Sequence, residues 1–269
     1  MRLYLSKCND KLNSKELNTD LLSDYICLNP KYRVSLKNPD PKILLDSGAY
    51  QDREKDSRLT FKEALHRQLD FEKKVGFISE RIVAYDYMSN VGETIDGNKF
   101  LASKREELRP RQIVLMVQGD TTREYIYCLY ETLKIATPED CIGLGGVALA
   151  GKINDLKFKL WDAFKIGLPL IHNSGIKDIH IFGVGTFDVL KGVREITETL
   201  RTIGIVVDEL NLSCDTSSFE LNSTMGRVIN LEAERWEKIY TKEQKYIEYH
   251  PADLTIENSK KALQIINKI

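Results

Sequence analysis

The feature that most constrains this chain is a series of eight short apolar runs, each bounded by polar residues or glycine. They are Met1–Ser6, Tyr25–Leu28, Ile43–Leu45, Arg81–Tyr85, Ile113–Val117, Cys141–Leu144, Ile179–Phe182 and Glu209–Cys214. Runs this short read as strands, and continuous apolar character suits strands buried on both faces of a parallel sheet. Between the later runs apolar residues return at helical spacing, as Phe61, Ala64, Leu65 and Leu69 do, and again Leu190, Val193, Ile196 and Leu200. Thr60 with Glu63, and Thr121 with Glu124, have the S/T-x-x-E spacing in which side chain and backbone cap each other at a helix start. Eight strand–helix repeats in 269 residues predict an α/β fold of the (β/α)8 TIM-barrel type, whose usual size is about 250 residues. An open doubly wound sheet is the alternative. The first two units are the least regular, because Lys7–Asp24 is short and Tyr25–Leu28 is a brief run. The Lys- and Glu-rich tail from about residue 231 reads as terminal helices packed on a single catalytic barrel domain, residues 1–269, with a break at His250-Pro251.

Composition narrows the class of partner. No run approaches the roughly 20 apolar residues of a membrane span, and MRLYLSKCND lacks a secretory apolar stretch, so a cytoplasmic protein with no membrane contact is expected. The five cysteines are scattered without a C-x-x-C pair, which points to reduced thiols rather than a disulfide framework or zinc knuckle. With 39 basic and 40 acidic residues, the chain lacks the charge of a protein that coats nucleic acid nonspecifically, so any such contact must be a local patch. Lys104, Arg105, Arg109 and Arg111 form the densest basic cluster: a candidate phosphate grip, or else a solvated helix face.

In a barrel of this kind, chemistry sits past the C-terminal ends of the strands, where loops vary on a rigid frame. There the sequence places Asp46, Asp86, Gln118, Gly145-Gly146 and Asp215. One aspartate at a strand end is ordinarily a cap or turn former; three at one face, with glutamine and glycines between, mark a site. A carboxylate pair suits cleavage at a sugar anomeric carbon, one group attacking while the other handles the leaving group's proton. Gln118 and the amides near Gly145 and Gly146 can read the edge of a flat purine-like base. Gly183-Val184-Gly185-Thr186, a glycine loop opening a helix, is a candidate phosphate site. The four histidines, His66, His172, His180 and His250, lack partners at metal-ligand spacing and read as structural or exposed.

The run Asp46-Ser47-Gly48-Ala49-Tyr50-Gln51 resembles the D-S-G-G-F-Q signature of the tRNA-guanine transglycosylase superfamily. In the same order, Ala84-Tyr85-Asp86 looks like that family's A-F-D, Val117-Gln118-Gly119 its V-Q-G, Gly145-Gly146-Val147-Ala148 its G-G-L-A/S, and Gly183-Val184-Gly185-Thr186 its G-V-G-T. Cys214-Asp215 falls where the family carries the aspartate that attacks the ribose. The resemblance implies base exchange with Asp215 as nucleophile, a covalent glycosyl intermediate, and Asp46 as the acid–base partner. It further implies a base site bordered by Ser47, Tyr50, Tyr85, Asp86, Gln118, Gly145, Gly146 and Gly185, which would hold guanine and then a 7-deazaguanine such as preQ0, with no other cofactor.

The departures from that family carry information too. Its tRNA-acting members have a C-x-C-x-x-C…H zinc site after the nucleophile, whereas no cysteine follows Cys214 here, so no metal site is expected. The P-T-R segment beside the nucleophile is also missing. Asp215-Thr216-Ser217-Ser218 is closer to the DNA-guanine transglycosylase-like branch, so DNA is favoured over tRNA as the polymer, reached by flipping the base or by acting on single strands. Two rival readings remain: a barrel enzyme acting on a small phosphorylated metabolite held at Gly183–Thr186, and a non-catalytic or partner-dependent subunit that binds nucleic acid. The second would fit poorly with retention of both Asp46 and Asp215.

Overall fold

The computed structural model of the chain describes residues 2–7, 25–31, 42–52, 58–87, 90–147, 154–184, 187–205, 209–216, 227–233 and 235–238, with 257, 258, 260, 261 and 264 near the C-terminus. Eight strands run in chain order: β1 (Arg2–Lys7), β2 (Tyr25–Leu28), β3 (Lys42–Leu45), β4 (Arg81–Val83), β5 (Gln112–Val117), β6 (Cys141–Leu144), β7 (Asp178–Ile181) and β8 (Asn211–Thr216). Each pairs in parallel with the next, and β8 returns to β1 in the register Arg2↔Ser213 to Leu5↔Thr216. That last pairing closes the sheet, so the fold is the (β/α)8 barrel and not the open sheet.

The strands form because their side chains are apolar on both faces. Ile43, Leu44 and Leu45 are buried together, as are Ile113 to Val117 and Cys141 with Ile142, which a strand achieves only with the barrel interior on one side and helices on the other. The described helices are α1 (Ala49–Asp52), α2 (Phe61–Val75), α3 (Val91–Ser103), α4 (Arg105–Leu108), α5 (Thr122–Leu133), α6 (Asn154–Asn173) and α7 (Phe187–Thr202). Both expected capping boxes are formed: Thr60 with Glu63 opens α2, and Thr121 with Glu124 opens α5. On α7, Leu190, Val193, Ile196 and Leu200 all reach the core. The expected irregular segment Lys7–Asp24 lies, apart from Lys7, outside the described residues.

Most strand boundaries shift by one or two residues from the sequence reading, and two of the shifts bear on the site. β4 ends at Val83, leaving Tyr85 and Asp86 on the loop beyond it, and β8 continues through Asp215, which pairs with Tyr4. The catalytic candidate therefore stands on a strand rather than after one. The tail is corrected at its start: Arg235–Lys238, within the region expected from about residue 231 to be helical, is a strand (β10) paired antiparallel with Arg227–Asn230 (β9), whereas the described residues 257, 258, 260, 261 and 264 are helical. The Asn230 side-chain oxygen accepts the N–H groups of Glu232 and Ala233 (2.9 Å each), a local turn that outcompetes helix formation. Ile229 enters the main core, and its N–H is taken by the side chain of Asn258, a helical residue near the C-terminus. His250-Pro251 lies outside the described residues. Among the described residues no helix is long and apolar enough to cross a membrane.

Candidate active site

The mouth is built from turns just beyond the strand ends. Asp46 follows β3, and its N–H is held by the carbonyl of Leu28 on the neighbouring strand (2.8 Å). Its carboxylate accepts Ser47 N–H and Asn29 Nδ2, each at 2.8 Å. Burial and the nearby charges of Asp215 and Asp86 nevertheless push the Asp46 carboxyl up to about 7: two donors do not offset lost hydration and two like charges. Gly48 follows at φ +77°, and a Cβ there would stand 2.7 Å from Arg67 Nη2, which reaches through to the Ser47 carbonyl. The positive φ favours glycine in this turn, and a side chain there would also displace the Arg67 guanidinium from the Ser47 carbonyl.

Across the mouth, Gln118 beyond β5 donates from Nε2 to Asp86 Oδ2. Burial lifts the Asp86 carboxyl to about 6, with that hydrogen bond opposing the rise. Gly145 packs directly on this pair; any Cβ there would lie 2.4 Å from Gln118 Nε2. Gly146 continues the turn at φ +81°. Asp86 and Gln118 thus form a polar pair beside the Gly145-Gly146 turn, in which the Gly145 N–H is donated to the Val117 carbonyl (3.0 Å) and the Gly145 carbonyl accepts the Tyr125 hydroxyl (3.3 Å); the side-chain pair offers the donor and acceptor groups that a purine edge would need.

Asp215 is held from two sides. Gly183 N–H donates to Oδ1 (2.8 Å) and Ser6 Oγ donates to Oδ2 (2.9 Å), while its own carbonyl accepts Val184 N–H (3.0 Å). His180 Nε2 stands 3.4 Å from Oδ1. The ring is fully buried, and burial lowers its pKa. Of the two readings the sequence left for His180, structural or exposed, the structure excludes the exposed one, and it places the ring beside the candidate nucleophile.

Not every expected residue comes to the mouth. Ser47 is buried, its hydroxyl taking Ala49 N–H, so it shapes the turn. Tyr85 packs in a cluster with Ala49 and Ala64 and donates its hydroxyl to Asp52 (3.1 Å), a position suited to bracing α1 rather than stacking on a base. Tyr50 is exposed on α1. Gly185 and Thr186 lie outside the described residues, and Gly183 N–H, one donor of that loop, is engaged by Asp215. The basic cluster is elsewhere altogether. Arg105, Arg109 and Arg111 precede β5 and therefore lie at the strands' N-terminal end, opposite the mouth, with Arg105 bound to Asp140 (2.7 Å) and Arg111 to Glu72 (2.6 Å). Lys104 pairs with Glu107, and Arg109 with Glu106 and Glu139.

Besides Ser6 and Arg67, two more supporting residues escaped the sequence reading. Asn29, just past β2, donates to both Asp46 and Gln51. Gln68 on α2 distributes its amide among the carbonyls of Leu45, Asp46 and Val83. Asn29 could have been found by the same strand-end rule that found Asp46. Gln68, a polar residue on a helix, gives no such signal. Among the described residues no group of three or more His, Cys, Asp or Glu is placed to hold a metal ion.

Fold and site together define a (β/α)8-barrel protein with a carboxylate-lined mouth. No protein-family model and no curated protein matches the chain in sequence, so the functional reading rests on the mouth itself.

Proposed function

We propose that the chain is a base-exchange glycosyltransferase that replaces guanine in a nucleic acid, DNA in preference to tRNA, with a 7-deazaguanine such as preQ0. The observation that carries this reading is the pairing of Asp46 with Asp215: they approach the mouth from β3 and β8, and Asp215's charge helps to raise the Asp46 carboxyl. Two carboxyls in contrasting surroundings divide naturally into a proton carrier and a nucleophile.

In this reading an Asp215 oxygen bonds to C1′ of the target nucleotide as the C1′–N9 bond breaks, its electron pair leaving with guanine. Asp46, titrating near the working pH, gives guanine its proton and later takes the N9 proton of the incoming base. That base then attacks C1′ and releases Asp215. Asp86, Gln118 and the Gly145-Gly146 backbone hold each base in turn, and the preference for DNA rests on the sequence after Asp215. A protein partner is compatible with the scheme, and no polymer contact is assigned to the basic cluster at the far end.

The test is incorporation of radiolabelled guanine and preQ0 into DNA and, separately, unmodified tRNA, with Asp215→Ala as control. Label entering DNA and abolished by Asp215→Ala is the expected result. Label entering tRNA alone would overturn the polymer assignment, full exchange by Asp215→Ala would overturn the nucleophile, and no label in either polymer would overturn the proposal for the isolated chain.

A further inference from the structure

Beneath the mouth, a column of polar side chains rises through the barrel interior. Asp178 accepts from Arg81 Nη2 (2.9 Å), Arg81 Nη1 donates to Ser213 Oγ (3.1 Å), and Ser213 Oγ donates to the Ile179 carbonyl (3.0 Å). His180 Nδ1 lies 2.9 Å from Ser213 Oγ, and His180 Nε2 faces Asp215 at the top. Arg81, Ser213 and His180 are all buried, and the donor and acceptor roles of these side chains fix where their protons point.

A hydroxyl has one proton and two lone pairs. Arg81 can only donate and the Ile179 carbonyl can only accept, so the Ser213 proton points to Ile179 and its oxygen accepts from Arg81 and from His180. His180 Nδ1 must therefore carry a hydrogen. A neutral imidazole has only one, which leaves Nε2 as a lone pair, fully buried and facing Oδ1 of Asp215 at 3.4 Å. Two acceptors this close call for a proton between them.

Resting on the base-exchange reading for the role of Asp215, we infer that His180 and Asp215 share one proton, so that His180 is a positioning residue governing the charge on the nucleophile. With the proton on Nε2, Asp215 is a carboxylate ready to attack. Once Asp215 becomes an ester its charge is gone, and the imidazolium is left buried near Arg81, which disfavours the intermediate and favours its onward reaction. The other charged or titratable groups around the ring are Tyr4 on β1, Arg81 on β4, Cys141 on β6 and Asp178 on β7, with Asp46 across the mouth. The Tyr4 hydroxyl is donated to Glu80 (3.1 Å) and Arg81 has no acceptor, so neither serves Nε2.

The chain has four histidines, so 15N-labelled imidazole spectra of the full protein can be assigned with His180→Gln. Nδ1 is expected to stay protonated at every pH, while Nε2 gains and loses its proton. Asp215→Asn, which removes the carboxylate that shares the proton while its amide oxygen still takes Gly183 N–H, should move that titration to lower pH, and Ser213→Ala should move the proton of the neutral ring to Nε2. A neutral wild-type ring protonated on Nε2, or a titration unchanged by Asp215→Asn, would overturn the inference. In base exchange, His180→Gln should lose the limb of the pH profile that belongs to the pair. Spectra as expected with no exchange into either polymer would leave the shared proton standing and remove the base-exchange reading instead.

Discussion

An aspartate that keeps its proton to about pH 7 in the fold, against about 3.9 in an unfolded chain, makes stability depend on pH with a definite sign. Between those values the native state binds more protons than the unfolded one, so stability falls as pH rises from about 4 to about 7 and stays reduced above. Asp46 thus opposes folding over the pH range in which the proposed base exchange would use it as a proton carrier. Asp46→Asn should be more stable than the parent at about pH 8, by on the order of 1–2 kcal/mol after allowing for the residue's partial exposure and altered bonding to Asn29. The gain should vanish at about pH 4, where both proteins are uncharged at this position, while exchange is lost throughout. Denaturant melts at the two pH values check this, and a gain independent of pH would show that the raised carboxyl is not its origin.

At the level of elements, the site depends on α2 as much as on the strands. The capping box at Thr60 fixes where the helix starts, and that start sets which residue faces the ends of β3 and β4. The residue so placed is Gln68, nearly fully buried, whose amide satisfies carbonyls at Leu45, Asp46 and Val83. Gln68→Leu should leave these acceptors without a donor and cost about 2–3 kcal/mol. Because two of the three belong to the turn carrying Asp46, exchange should fall further than the lost folded fraction explains. Activity per folded molecule, from parallel activity and circular dichroism measurements, decides the matter. The elements themselves were largely legible: apolar runs marked the strands because parallel strands are buried on both faces, and the S/T-x-x-E pairs marked α2 and α5. The hairpin at Arg227–Lys238 was not, because its turn depends on one asparagine side chain bonding locally and its burial on Ile229 meeting a distant core.

At the scale of the whole molecule, the barrel sets the carboxylate-lined mouth and the basic cluster at opposite ends of the strands. Asp46, Asp86, Gln118 and Asp215 were readable as a set because each closes or follows an apolar run. The column below them was not, since Arg81, Asp178, His180 and Ser213 are brought together only by closure of the sheet, and each alone looks like an interruption of an apolar strand. The basic cluster misled for the converse reason: adjacency in sequence made it look like a surface patch, whereas two of its members are structural at the N-terminal end. Arg105 neutralises Asp140, which is 1% exposed, so Arg105→Ala should destabilise by about 3 kcal/mol through an uncompensated buried charge. Lys104 and Arg109 hold only exposed pairs, and reversing both to glutamate should change stability by no more than about 1 kcal/mol. If the nucleic acid enters at the mouth, that double reversal should also leave label incorporation and its salt dependence unchanged, although the net charge drops by four. A reduced salt slope would instead mean that the polymer wraps to the opposite end of the barrel, and the mouth alone would no longer describe the interface.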